Sequence, residues 1–184
     1  MTLGALGGRR GSLAWLLAIV ALALVLAALA SVPLLRSPTD GRTGTLVGQA
    51  APTLEATDLE GRQWSLATAD ARVVWVNFWA TSCEPCRTEM PAMQRLAEAH
   101  AGELLVLGVD WGEGRDAVED FVDRYGVTYP ILLDPTLENY YRWADADGLP
   151  RHYFVGSDGT VLREIIGPLE PAQMVVILDE LLEG

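Results

Sequence analysis

The sequence predicts an α/β domain built around a parallel strand pair. Three observations carry that reading. Apolar, β-branched runs of strand length alternate with amphipathic stretches of helix length. The alternation includes a strand–helix–strand unit over Val73–Ala80, Pro85–Ala99 and Leu104–Asp110, which implies a parallel pair joined by a right-handed crossover. The stretch beyond residue 44, about 140 residues, suits one domain with one hydrophobic core.

The elements follow in order. Val47 to Leu66 reads as a hairpin with Asp58-Leu-Glu-Gly61 at its turn. Val73–Ala80 is a buried strand. Pro85–Ala99 sets Met90, Met93 and Leu96 on one side of a helix that Gly102 stops. Leu104–Asp110 is a second buried strand. Arg115–Tyr125 is an amphipathic helix ending at Gly126. Tyr129–Leu133 is a short strand and Leu137–Trp143 a short helix. Tyr153–Val155 and Val161–Ile166 form a hairpin about a tight turn at Ser157-Asp-Gly-Thr160. Pro171–Leu182 is a closing helix.

Ahead of the domain, Arg9 and Arg10 precede an uninterrupted apolar run from Leu13 to Ala30. That is about the length needed to cross a bilayer as a helix. The predicted division is a cytoplasmic N-terminus over 1–12, a transmembrane signal-anchor over 13–35, a polar linker over 36–45 and the domain over 46–184. The arginines place the domain outside the cytoplasmic membrane, as a single-pass protein. Ala28-Leu-Ala30 also has the small-residue pattern of a signal-peptidase site, which leaves a cleaved signal as the competing reading.

The formal charge is −12, from 13 basic residues, all Arg, against 25 acidic ones. Three of the arginines lie in the first 36 residues, so the remainder holds 10 Arg against 25 Asp and Glu, or −15. This argues against nucleic acid or anionic lipid bound through a basic patch and reads by default as a solvated acidic surface.

Cys83 and Cys86 are the only cysteines. A disulfide between them closes about four residues and constrains little of the unfolded chain, so stapling is a poor explanation and reversible dithiol chemistry a good one. Pro85, near a helix start, is tolerated there because its missing N–H would be unpaired in any case. Cys83 then falls at or near the N-cap and Cys86 one turn later. The helix N-terminus favours a thiolate. Cys83 is read as the nucleophile and Cys86 as the resolving thiol. Half a zinc site would need two more ligands, and His100 and His152 lack ligand spacing; no metal or other cofactor is expected beyond the redox-active Cys83–Cys86 pair. His152 reads as an exposed strand residue, and the scattered tryptophans as packing.

The chain resembles the membrane-anchored thioredoxin-like proteins of bacteria grouped around TlpA, ResA and DsbE (CcmG). The resemblance runs from about Leu46 to Leu182. It rests on Val47-Gly-Gln-Ala-Ala-Pro52, Leu59-Glu-Gly61, Asn77-Phe-Trp-Ala80, Cys83-Glu-Pro-Cys86 with Glu89-Met-Pro91, Gly148-Leu-Pro150 and Gly159. It implies a thioredoxin-like fold: a central mixed sheet flanked by helices, with an N-terminal β-hairpin and a helical and strand insert.

Site residues carry over by position. Pro150 matches the family's cis-proline beside the disulfide, and Leu149 is the residue whose backbone meets substrate. Glu89 matches an acidic residue near the active site that assists proton transfer at Cys86; on the sequence alone it reads equally as an exposed acid of the first helical turns. Asn77 stands where thioredoxin has a buried Asp, and either hydrogen-bonds behind the disulfide or satisfies the strand. Trp79 and Pro85 support the motif. Ser82 replaces an aromatic residue common before the first cysteine. Arg151 follows Pro150 where small residues are common. It either brings positive charge to the substrate groove or points into solvent. Glu84, between the cysteines, opposes a thiolate at Cys83, which predicts a more reducing pair.

These observations predict an exported, membrane-tethered thiol–disulfide oxidoreductase that reduces disulfides in exported proteins. The resemblance implies a membrane electron donor of the CcdA or DsbD type, and apocytochrome c as the expected substrate. A disulfide-introducing oxidase and a Cu(I)-handling chaperone are the alternatives; for the second, Met90 and Met93 are the only nearby soft ligands and their helical spacing reads as core.

Overall fold

The computed structural model describes residues 46–183, together with residue 15 and residues 18–22. The expected membrane segment and linker otherwise lie outside the described residues. Among those described, no helix is long and apolar enough to cross a membrane. The chain divides into two units, Met1–Asp40 and Gly41–Gly184, and the second carries the sheet.

In that unit the elements are β1 (Glu55–Asp58), β2 (Gln63–Ser65), β3 (Val73–Trp79), α1 (Glu84–Ala99), β4 (Leu104–Asp110), α2 (Arg115–Tyr125), β5 (Ile131–Leu133), α3 (Glu138–Trp143), β6 (Arg151–Gly156), β7 (Val161–Ile166) and α4 (Pro171–Glu183). They form one seven-stranded mixed sheet of order β2-β1-β5-β4-β3-β6-β7. β4 runs parallel to both β3 and β5; the remaining neighbours are antiparallel. The thioredoxin-like α/β fold with a central mixed sheet is thus present.

β3 is buried along its whole length because side chains on both its faces meet core. Trp75 and Trp79 join Met90 and Met93 of α1, Phe121 of α2 and Met174 of α4 in one cluster. Val74, Val76 and Phe78 face the other way, onto Tyr140 and Trp143 of α3. Gly108 in β4 is required by this packing. A Cβ there would stand 2.7 Å from Ile131 Cδ1 and 3.1 Å from Trp79 Nε1. Gly126 ends α2 in the left-handed region at φ 65°, as read from the sequence.

Several boundaries differ from expectation for identifiable reasons. β5 begins at Ile131, because Pro130 has no N–H for the ladder. α3 begins at Glu138, because Leu137 is its N-cap with φ 60°. The predicted hairpin arm before Glu55 does not pair with β2. Its residues 48–51 instead bond to the β6–β7 hairpin, through Gly48 N–H to Val161 O and Ala51 N–H to Gly159 O. β6 starts two residues earlier than the apolar pattern shows, since Arg151 and His152 are held in register by Phe78 and Asn77 of β3.

The hairpin turn is built on Asp58. Its carboxylate accepts bonds from Glu60 N–H, Arg62 N–H and Nε, and Trp64 Nε1. Burial opposes its ionisation, but the bonds from Trp64 and Arg62 outweigh that and hold its pKa below the usual carboxylate value.

Candidate functional site

The two cysteines sit where β3 turns into α1. Cys83 is the N-cap residue, and its N–H donates to Ala80 O. Cys83 and Cys86 form a disulfide with S–S 2.00 Å and Cα–Cα 5.3 Å. The Cys86 N–H points at Cys83 Sγ, 3.3 Å away. The same N–H faces a thiolate when the bond opens, so backbone geometry favours negative charge on Cys83. Cys83 is half-buried, whereas Cys86 is 1% exposed. An external sulfur therefore meets Cys83 first.

The segment between strand and cysteines is tied across the sheet end. Glu113 accepts from Thr81 N–H and, at 2.6 Å, from Thr81 Oγ1. Its own N–H donates to Asp110 Oδ2 at 2.8 Å. Asp110 is fully buried. Burial first, then the neighbouring Glu113 and Asp134 charges, push its carboxyl up to about 7, against the pull of the Glu113 N–H. Trp79 is buried with its ring 4.9 Å from Phe121, and supports the strand end from below. Pro85 and Glu84 are exposed in the first turn of α1, and Glu84 pairs with Arg87 Nη1 at 3.0 Å. That partner offsets part of the charge Glu84 presents to Cys83.

Glu89 lies one turn beyond Cys86 and is 4% exposed, so it is a buried carboxyl rather than an exposed acid. Its Oε1 accepts from Leu169 N–H, in the segment before α4. Its Oε2 faces His152 Nε2 at 3.3 Å. His152 is not exposed: it is fully buried, because it pairs with Asn77 of the central strand and projects onto the α1 side of the sheet. Its Nδ1 receives Trp75 Nε1–H at 3.3 Å and Asn77 Nδ2 at 3.2 Å. Asn77 Nδ2 also donates to Arg151 O, so its side chain bonds within the buried interior on the α1 side of the sheet.

The Leu149–Pro150 peptide bond is cis. Arg151 pairs with Phe78, so Pro150 stands at the sheet end that carries the disulfide. Leu149 is half-buried and packs against the cluster containing Cys83 and Cys86. Arg151 corrects the reading that it points into solvent. It is 2% exposed, on the sheet face away from α1, because β6 alternation sends it opposite to His152. Its Nε donates to Gly148 O at 3.2 Å and its Nη2 to Ala146 O. Tyr140 Oη donates toward the same two carbonyls, at 3.1 and 3.0 Å. Together they clamp the loop that delivers Leu149 and Pro150.

Sequence reasoning missed His152, Tyr140, Leu169 and Glu113. Period-2 alternation extended backward from Tyr153–Val155 would have put His152 on the face of buried Phe154. No local signal marks the other three. Met90 and Met93 lie fully buried in the core.

Residues 47–164 match the AhpC/TSA family. The chain is 34% identical over 131 residues to thiol-disulfide oxidoreductase ResA of Geobacillus thermodenitrificans, covering 70% of this chain and 74% of that protein. It is 35% identical over 141 residues to the thioredoxin-like protein YneN of Bacillus subtilis, covering 74% and 81%. Its fold matches that of a secreted Mycobacterium tuberculosis disulfide oxidoreductase homologous to E. coli DsbE, with TM-score 0.63 and 21% identity over 69% of this chain and 95% of that one.

Proposed function

The chain belongs to the AhpC/TSA family of thioredoxin-like proteins and is a thiol-disulfide oxidoreductase of the ResA and DsbE type, and from that premise we propose that it works as a reductase of exported proteins. The reduced Cys83 thiolate attacks a substrate disulfide. A mixed disulfide forms and one substrate sulfur leaves as thiolate. Cys86 then gives its proton to Glu89, and its thiolate attacks Cys83 Sγ. The Cys83–Cys86 disulfide forms and the second substrate sulfur departs. Two electrons pass from the protein dithiol to the substrate, which leaves with two thiols once protons are taken up.

The observation that carries this reading is the placement of one reachable sulfur, Cys83, at a helix N-terminus, with Cys86 and the carboxyl of Glu89 buried behind it. In this proposal the N-terminal segment tethers the domain to the outer face of the cytoplasmic membrane, and a donor of the CcdA or DsbD type returns the pair to the dithiol. Leu149 and Pro150 present backbone to an extended segment of the substrate, which is apocytochrome c in the reading we favour.

A Cys86→Ser variant tests the assignment, because it cannot resolve the mixed disulfide. Expressed in its own host, it should accumulate Cys83-linked adducts with exported polypeptides that carry a Cys-X-X-Cys-His haem-attachment segment. Adducts confined to exported proteins without such a segment would contradict the cytochrome role.

A further inference from the structure

We propose that His152 is a positioning residue for the thiol–disulfide reaction, locked in one tautomer so that it holds Glu89 as the proton acceptor for Cys86. The inference rests on the role given to Glu89 above.

Indole Nε1 is a donor only, so the 3.3 Å contact from Trp75 requires a lone pair on His152 Nδ1. Asn77 approaches the same nitrogen at 3.2 Å. The imidazole proton must then sit on Nε2, and adding a second proton at Nδ1 would set it against two N–H groups in a fully buried site. Nε2 and Glu89 Oε2 stand 3.3 Å apart without hydrogen-bond alignment, and among the described residues both are buried with no hydrogen-bond partner, so each has the other as its nearest polar neighbour to turn to. Oε1 is already engaged by Leu169 N–H. Glu89 thus has Oε1 held by a backbone donor and Oε2 set against a buried ring N–H that has no hydrogen bond of its own, which orients the carboxyl.

The titratable groups around Glu89 are His152 from β6, Tyr129 from the segment before β5, and Cys86 one turn earlier on α1. Burial, with the Glu89 charge second, raises the Tyr129 hydroxyl above its ordinary value, so Tyr129 stays neutral and does not compete for the proton. When Cys86 Sγ–H passes its proton to Glu89, the thiolate forms the S–S bond to Cys83 and the substrate sulfur leaves with the electron pair. The acid form of Glu89 now meets the imidazole N–H, which favours release of the proton to the departing sulfur or to water. His152 takes part in no bond change.

The test uses the full-length reduced protein and 5,5′-dithiobis(2-nitrobenzoate) as the probe disulfide. The first nitrothiobenzoate released reports attack by Cys83, and the second reports resolution by Cys86. The second-phase rate is followed against pH. Glu89→Gln should slow the second phase about tenfold or more near pH 7 and move its rise to higher pH. His152→Leu should do the same in the same direction, and should add nothing in the Glu89→Gln background. His152→Gln, which keeps an N–H near the Nε2 position, should restore most of the rate and the wild-type profile.

A wild-type profile in His152→Leu, with Glu89→Gln shifted, would overturn the inference and leave the Glu89 role intact. No shift in Glu89→Gln would overturn both. If His152→Leu does not fold, the ring 15N shifts of His152 in the wild-type protein decide: a proton on Nε2 is expected, and one on Nδ1 overturns the inference.

Discussion

The two faces of the central sheet at its active end do different work. On the α1 side, Trp75, Asn77 and His152 form a buried polar row that ends at Glu89, one helical turn along α1 from Cys86. On the opposite side, Arg151 and Tyr140 hold the carbonyls of Ala146 and Gly148, and so hold the loop before the cis-proline. Adjacent residues of one strand, Arg151 and His152, supply the two sides. In the proposed mechanism, strand alternation thus separates proton handling from substrate docking by a single position in sequence. Mutations on one face should change pH dependence, and mutations on the other should change docking and stability.

The largest effect is expected on the docking side. Arg151→Met removes a buried guanidinium and leaves two carbonyls with Tyr140 alone, a loss of about 3 kcal/mol in denaturant unfolding. Its second-phase pH profile should match wild type. A shifted profile would break the separation of the two faces.

On the α1 side, Asp110 stands level with Trp79 and carries a carboxyl pushed up to about 7 by burial and the charges of Glu113 and Asp134. The unfolded chain ionises near 3.8 while the native chain still holds its proton, so stability falls as pH rises between these values. Asp110→Asn should retain about 2 kcal/mol more of its stability than wild type on going from pH 4 to pH 8. Unfolding curves at the two pH values check this. Equal losses in both proteins would show that Asp110 is not a buried acid.

Tyr140→Phe sharpens the comparison from the docking side. One shared donor is lost while Arg151 remains, so the cost should be about 1 kcal/mol. The half-saturating concentration of a protein disulfide substrate should rise with little change in the limiting rate.

The smallest effect belongs to neither face. Glu84 is exposed and paired with Arg87, so its influence on Cys83 is screened. Glu84→Gln should raise the reduction potential by only about 10 mV.

Much of the frame was legible in the sequence, and the reason lies in local periodicity. β3, α1 and β4 are unbroken apolar or amphipathic runs, and Cys83, Pro85 and Cys86 mark the helix start by themselves. The remainder depends on partners distant in the chain. His152 looks like a surface residue until Asn77, 75 positions away, is laid beside it. Arg151 looks like a free charge until α3 brings Tyr140 beneath its loop. Glu89 could be read either way because Leu169, which fixes its carboxylate, lies 80 positions off. The docking of β1 onto β5 has the same cause: strand order is set by tertiary packing, not by either strand's own pattern.

The reduction potential of the Cys83–Cys86 pair in the full-length protein tests the central claim most directly. A value below about −230 mV, in the direction of thioredoxin, is predicted for a pair that donates electrons to exported substrates. A value near −120 mV, as in DsbA, would contradict it and make the protein a donor of disulfides.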